Sequence, residues 1–297
     1  MSLIKKKIEM LLSSDTTIGV TKSIGLGLIS FGEVLDRLKP DLIIILGDRF
    51  EALAMATAAT IMGVPIMHLH GGEITEGAYD DSIRHAITKF SHLHGVSSES
   101  SRRRVIQLGE DPKHVFTIGA LGIEHIYKNK LVSLSKIEKS IDFNLGKKFF
   151  LLAYHPATYS NEKAESTITN ILSIVNEFPE YKLLITLANA DNGGRSINAI
   201  IRKFEQKYPT QIKAISSLGS QNYLSLLKFA SCIIGNSSSG IIEAPSLKTL
   251  TVNIGDRQKG RDAAPCILHC GTKKAEIYSA IRNALSRKGN VNSSDFI

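Results

Sequence analysis

The stretch Asp41-Leu42-Ile43-Ile44-Ile45-Leu46-Gly47-Asp48-Arg49-Phe50-Glu51 decides the fold. Its first part is continuously apolar, as expected of a strand buried on both faces of a parallel sheet, and it ends abruptly in glycine and charge. Ala-rich Glu51 to Met62 then reads as a helix, Gly63 as its stop signal, and Pro65-Ile66-Met67-His68-Leu69 as the next strand. This is a βαβ unit. The alternation continues through a helix near 81–90, a strand at 93–96, a helix at 99–108 and a strand at 115–118.

Between about Tyr127 and Lys148 the pattern weakens into a stretch containing Lys and Ser, the natural place for a domain connection. A second series follows, with strands expected at 149–153, 182–186, 212–215, 232–234 and 249–252 and helices between them. Two successive α/β series predict two Rossmann-like domains facing across a cleft, residues 1–135 and 147–297, the last helix packing back on the first domain.

Composition narrows the function classes. With 43% hydrophobic and 22% charged residues, the chain has the balance of an ordinary globular enzyme. No continuous apolar run approaches the roughly 18 residues of a membrane span. The basic start, Met1-Ser2-Leu3-Ile4-Lys5-Lys6-Lys7, lacks the apolar region and cleavage site of a signal peptide. A cytoplasmic protein with no membrane partner is expected. The formal charge of +8 favours anionic partners, and a nucleotide sugar satisfies it as well as nucleic acid does. Apart from Arg102-Arg103-Arg104, on a helix expected at 99–108, the basic residues are scattered, so no nucleic-acid partner is expected. Cys232, Cys266 and Cys270 cannot all pair, and Cys266-Ile267-Leu268-His269-Cys270 fits no standard zinc spacing, so no metal site is expected.

Three blocks carry the chemistry. Gly47-Asp48-Arg49-Phe50-Glu51, His68-Leu69-His70-Gly71-Gly72-Glu73 and Asp80-Asp81-Ser82-Ile83-Arg84-His85 put ionisable residues beside glycine where strands should end, the usual location of chemistry in α/β proteins. Downstream, Cys232-Ile233-Ile234-Gly235-Asn236-Ser237-Ser238-Ser239-Gly240 is expected to run from a buried strand through small residues into a helix, presenting N–H groups and hydroxyls to an anion such as a diphosphate.

With these blocks in order, joined by Glu9 to Asp15, His155-Pro156, Asn189-Ala190-Asp191 and Glu243, the chain resembles the hydrolysing UDP-N-acetylglucosamine 2-epimerases of bacterial sialic acid pathways and their relatives acting on UDP-2,4-diacetamido sugars. The resemblance implies a fold of the GT-B type and elimination of UDP across C1–C2 of the sugar, followed by hydration to the free 2-epimer. Such chemistry needs a base for the C2 proton, an acid for rehydration and cations on the leaving diphosphate. It requires no metal and no redox cofactor. Members usually open with a strand and a Gly-Thr-Arg loop that are not seen here, so the chain is expected to begin about 65 to 80 residues late, with its first domain incomplete. Many members carry Glu where His70 stands; the form with His resembles the diacetamido branch. A homo-oligomer, dimer or tetramer, is expected.

Asp48 is then an acid–base candidate, or simply the N-cap of the helix after it. Arg49 is placed to meet the diphosphate. His70 and Glu73 flank the glycine pair, although His70 also fits a structural role. The resemblance makes Asp80 and Arg84 essential; i,i+4 ion pairs, Asp80 with Arg84 and Asp81 with His85, are the plainer reading. His155 is an acid, a base or a phosphate contact. Ser237 and Ser238 would hold phosphate oxygens and Glu243 the ribose, against a serine-rich cap with an exposed Glu. Asn189, Asp191 and Arg257 are UDP-side contacts on the resemblance alone. The competing functions are a retaining GT-B glycosyltransferase and an inactive UDP-sugar-binding fragment.

Overall fold

The structure, a computed structural model, describes residues 7–12, 16–76, 79–128, 130–156, 164–188 and 193–288. The chain divides into two compact units, residues 1–75 with 79–121 and residues 76–78 with 122–297.

The first unit contains α1 (Thr17–Leu38), β1 (Ile43–Leu46), α2 (Phe50–Ile61), β2 (Ile66–Leu69), α3 (Asp80–Phe90), β3 (Leu93–Val96), α4 (Glu99–Gln107) and β4 (Val115–Thr117). Its four strands are parallel in the order β1-β2-β3-β4. Ile43 pairs with Ile66 and Leu46 with Leu69, so β1 and β2 end level with each other and deliver Asp48 and His70 to one end of the sheet. Alanine explains the close seat of α2: Ala54, Ala56, Ala58 and Ala59 are buried among Ile45, Ile66 and Phe31. Helix α1 packs on α2 with Gly27 at the contact, where a Cβ would meet Met10 Cε at 2.5 Å and Ala54 Cβ at 3.3 Å.

The second unit contains α5 (Leu121–Lys128, beginning at the unit boundary), α6 (Leu134–Ile141), β5 (Phe149–Ala153), α7 (Ala164–Ser173), β6 (Lys182–Thr186), α8 (Gly194–Lys207), β7 (Ile212–Ile215), α9 (Ser220–Phe229), β8 (Cys232–Gly235), α10 (Ser239–Ser246), β9 (Thr251–Ile254), β10 (Ile267–Cys270) and α11 (Lys274–Arg287). Its six parallel strands run β10-β9-β8-β5-β6-β7. The order reverses between β5 and β8, and such switch points open a crevice at the carboxyl ends of the strands. The apolar face of each central strand explains its burial: Phe149 and Leu151 point into one cluster, Phe150 and Leu152 into the other.

Several elements differ from the sequence reading. Strand β9 starts at Thr251 rather than Thr249, because the Thr249 backbone N–H is taken by the Ala244 carbonyl of α10 at 2.9 Å. Residues 267–270, beside the cysteine and histidine spacing, form the edge strand β10, with His269 Nδ1 3.1 Å from Asn253 Nδ2. Residues 122–128 and 130–135 pack with the second unit, where Val132 N donates to Ser225 Oγ at 2.9 Å. Helix α1 is long and apolar enough to cross a membrane by length and a mean hydropathy of 1.4, although the apolar-run criterion does not mark it. Glycine, serine and threonine interrupt its runs, and one face is buried on α2.

Candidate active site

Each unit builds one constellation at the carboxyl end of its own sheet.

In the first unit, the turn after β1 uses Gly47 at φ +81° and places Asp48 ahead of α2. Asp48 does not cap that helix. The N-cap is Arg49, which makes no side-chain capping bond, and Asp48 pairs with Arg84 of α3. The Arg84 guanidinium is 1% exposed. It also donates to the Glu73 carbonyl at 2.8 Å, to Thr75 Oγ1 at 2.7 Å and to Asp81 Oδ1 at 3.2 Å. A buried cation demands such saturation, because desolvation outweighs a single Coulombic contact. Arg84 therefore ties together the ends of β1 and β2 and the start of α3. Asp81 also accepts from Thr75 N at 2.7 Å and lies 3.5 Å from His85 Nε2, the i,i+4 pair that the spacing suggested. Asp80 opens α3 as an acid in its first turn, favourable toward the positive end of the helix dipole.

The loop after β2 is strained. His70 sits at φ +64°, a region that costs a residue with a Cβ about 1–3 kcal/mol. Gly72, at φ +76°, lies where a Cβ would be 2.4 Å from the Ser101 carbonyl oxygen, so only glycine passes there. The strain turns the His70 ring into two hydrogen bonds. Leu121 N donates to Nε2 at 3.2 Å, which leaves the proton on Nδ1 to be donated to Glu73 Oε1 at 2.8 Å. Glu73 Oε1 also accepts from Ser97 Oγ at 2.8 Å. His70 and Glu73 are thus one hydrogen-bonded pair. Arg49 forms a fork with Glu51, at 3.0 and 3.1 Å, with its side chain 41% exposed.

Sequence reasoning assigned no role to His68. Fully buried on β2, it has Nε2 2.8 Å from the Gly47 carbonyl, to which it donates, and Nδ1 3.1 Å from Thr88 Oγ1, which itself lies 3.0 Å from the Arg84 carbonyl. Burial pushes its pKa down to about 4, despite the stabilising bond to Gly47. It is a neutral strut between the residue before Asp48 and the helix carrying Arg84.

In the second unit, His155 follows β5 and Asn236 follows β8, at the switch point. Asn236, 2% exposed, clasps the main chain of His155: its Oδ1 accepts from His155 N and its Nδ2 donates to His155 O, both at 2.8 Å. The Asn236 carbonyl in turn accepts from Arg257 Nη1 at 3.0 Å and Gln258 Nε2 at 2.8 Å. Gly235 makes this possible; at φ +129° its missing Cβ would lie 2.1 Å from the Ala153 carbonyl oxygen. Ser237, Ser238 and Ser239 then lead into α10. Ser238 is the N-cap without a side-chain capping bond, and Ser239 N meets Ser237 Oγ only at 3.4 Å. The serines therefore do not act as a conventional cap. Glu243, half-buried one turn on, is not an exposed surface carboxylate.

A cavity of about 320 Å³ opens here, lined among others by His155, Leu187, Ser217, Tyr223, Ser237 and Ser239. Burial pushes the Tyr223 phenol up to about 12, so it remains a protonated donor in the wall. The residues that sequence reasoning missed, Asn236, Tyr223 and Gln258, share one property: their partners lie far away in sequence. Asn189 and Asp191 lie outside the described residues. Among those described, no group of three or more His, Cys, Asp or Glu residues is arranged to hold a metal ion.

Residues 2–295 match the family described as UDP-N-acetylglucosamine 2-epimerase. The chain is 45% identical over 258 residues to a GDP/UDP-N,N'-diacetylbacillosamine 2-epimerase (hydrolyzing) of Campylobacter jejuni, spanning 87% of this chain and 67% of that protein. It is 33% identical to a UDP-N,N'-diacetylbacillosamine 2-epimerase (hydrolyzing) of Legionella pneumophila, over 90% of this chain and 70% of that protein. Its fold is similar to that of the Neisseria meningitidis UDP-GlcNAc 2-epimerase crystallised with UDP-GlcNAc, with a TM-score of 0.77 at 17% identity, covering 96% of this chain and 80% of that one. The chain belongs to the UDP-N-acetylglucosamine 2-epimerase family.

Proposed function

We propose that this protein is a hydrolysing 2-epimerase of a UDP-2-acetamido sugar, taking UDP-N-acetylglucosamine to UDP and the free 2-epimer, N-acetylmannosamine. A base removes the C2 proton, the C1–O bond breaks, and UDP departs with its electron pair, leaving a 1,2-unsaturated sugar. Water then adds its oxygen at C1, and a proton arrives at C2 from the opposite face. The observation that carries the reading is the first-unit cluster, in which Arg84 holds Asp48 while His70 and Glu73 form a second hydrogen-bonded pair. Two separately held acid–base groups are what elimination and rehydration need.

Asp48, His70, Glu73, Asp80, Arg84 and His155 are assigned to the catalytic machinery. Ser237, Ser238 and Arg257 are assigned to the diphosphate, Glu243 to the ribose, and Arg49, Asn189 and Asp191 to the remaining UDP-side contacts. Ser238 supports this assignment because its hydroxyl makes no capping bond to α10, where backbone N–H groups and the helix dipole favour an anion. Within this reading the enzyme works in the cytoplasm, as a dimer or tetramer, in the supply of sialic- or legionaminic-type acids.

A second substrate, the UDP-2,4-diacetamido sugar, is favoured by His70 and by the 45% identity to a protein named for N,N'-diacetylbacillosamine. The test is incubation with each UDP sugar without an acceptor. Release of UDP with a 2-epimerised free sugar supports the reading, and the larger kcat/KM selects the substrate. UDP release with unchanged C2 configuration overturns it in favour of a glycosyltransferase hydrolysing its donor.

A further inference from the structure

His70 has both ring nitrogens occupied, and the partners decide what the ring can do. Nε2 accepts from Leu121 N at 3.2 Å, and Nδ1 donates to Glu73 Oε1 at 2.8 Å. A backbone amide gives up no proton at neutral pH, so it addresses the Nε2 lone pair and holds the ring in its neutral Nδ1–H form. As a base, His70 would have to accept a proton at Nε2, where the Leu121 N–H already stands. As an acid it has nothing to give a sugar, since its one ring N–H is turned to Glu73. Glu73 is held differently. Its Oε1 accepts from the His70 ring and from the Ser97 hydroxyl, each at 2.8 Å, and both bonds address a carboxylate, the strong kind of hydrogen bond. The side chains of His70 and Glu73 are 15% and 11% exposed, so water competes little for these bonds.

Ser97 follows β3 directly, and the run from β3 into α4 supports the whole loop. Ser97 holds the Glu73 side chain, the Ser101 carbonyl closes on Gly72, and Arg104 donates to the Gly72 carbonyl. The Arg102-Arg103-Arg104 triplet thus spends Arg104 on this loop and Arg102 on the Val115 and Pro112 carbonyls. The other charged and titratable groups around Glu73 are Arg84 of α3, which donates to its carbonyl, Asp48 and Asp81, both paired with Arg84, and His85, 3.5 Å from Asp81. Arg84 and Arg104 therefore fix the main chain of the loop, while His70 and Ser97 fix the carboxylate.

We infer that Ser97 is a positioning residue of the 2-epimerase reaction and that, within the His70–Glu73 pair, Glu73 exchanges the proton with the sugar while His70, like Ser97, positions it. As a carboxylate, Glu73 takes the proton from C2; the C2–H electron pair becomes the second bond between C1 and C2, and the C1–O pair leaves with UDP. The inference rests on the proposed function and adds to it one residue and a division of roles. Two donors on one oxygen set the direction of the carboxylate, and proton transfer depends on such placement.

The test combines kinetics with the tautomer of His70. Ser97→Ala, with its fold checked by circular dichroism, should lower kcat/KM about tenfold on the acid side of the pH profile and little on the alkaline side, because a carboxylate that loses a donor is easier to protonate. The acid limb then moves to higher pH, and Ser97→Thr, which keeps the hydroxyl, should restore it. His70→Asn suits the left-handed backbone at φ +64° and sets an amide donor where Nδ1 stood. It should lower kcat about tenfold, against at least about a hundredfold for Glu73→Gln. Long-range proton–nitrogen NMR of the histidine-labelled protein at pH 7, with the His70 signal identified by its loss in His70→Asn, should show the Nδ1–H tautomer. An unmoved acid limb in Ser97→Ala, a loss in His70→Asn as deep as in Glu73→Gln, or an Nε2–H tautomer overturns the assigned roles while leaving the epimerase reading standing. Absence of any 2-epimerised sugar from the unaltered protein overturns both.

Discussion

Acidification should destabilise the first unit through His68, and the size of the effect follows from where that ring sits. Fully buried between the Gly47 carbonyl and Thr88, it has a folded-state pKa of about 4 against the ordinary value of 6.5. Because the unfolded chain takes up the proton first, the contribution of neutral His68 is fully present above pH 6.5. It is lost as the pH falls from 6.5 toward 4, at about 1.4 kcal/mol per pH unit. Between pH 7 and pH 4.5 that amounts to roughly 2–3 kcal/mol, a large share of the 5–15 kcal/mol typical of a domain. His85 and His94 are displaced in the same direction by burial and add to the trend. His68→Gln isolates the contribution, since its amide can donate to the same Gly47 carbonyl but does not titrate. Urea unfolding followed by circular dichroism, at pH 7 and pH 4.5, should show a smaller loss of stability for the variant than for the unaltered protein. Equal losses would refute the assignment of a buried neutral histidine at this position.

Other consequences follow from the same geometry. Asp48→Asn and Arg84→Lys should each lower kcat at least about a hundredfold, because displacement of a reacting group by roughly 1 Å costs that much; steady-state UDP release measures it. Asn236→Ala leaves the His155 amide and carbonyl without their clasp, and should cost about 1–3 kcal/mol of stability and weaken UDP binding, both read in thermal shift with and without UDP. Ser238→Asp should abolish UDP binding in isothermal titration by setting like charge against the diphosphate. That variant should retain its thermal stability, since Ser238 makes no capping bond.

What could be read from the residues were the features with local signatures. The apolar run Ile43 to Leu46, the alanines of α2 and the strand–small-residue–helix pattern at Cys232 to Gly240 betray themselves by periodicity and turn chemistry, and the strands form close to where those signals place them. The ionisable blocks at Asp48 and His70 were visible because glycine beside charge at a strand end is itself local, whereas the block at Asp80 opens helix α3 instead of ending a strand. The connections among them were not. Asp48 was as consistent with a helix cap as with chemistry, and only the fold shows that its partner is Arg84, 36 positions away. The Asn236 clasp on His155 spans 81 positions, and no spacing rule anticipates it. Strand β10 escaped notice because four residues at a sheet edge, only Ile267 of them buried, carry little signal, and cysteine and histidine invited a different reading.

The central claim is that a proton leaves C2 and another returns from solvent. Turnover of the preferred UDP-2-acetamido sugar in heavy water, with the free sugar examined by proton NMR and mass spectrometry, tests it most directly. The account predicts a 2-epimerised sugar carrying one solvent deuterium at C2, with one UDP released per molecule. A product that keeps its original hydrogen at C2 would contradict elimination and rehydration at this site.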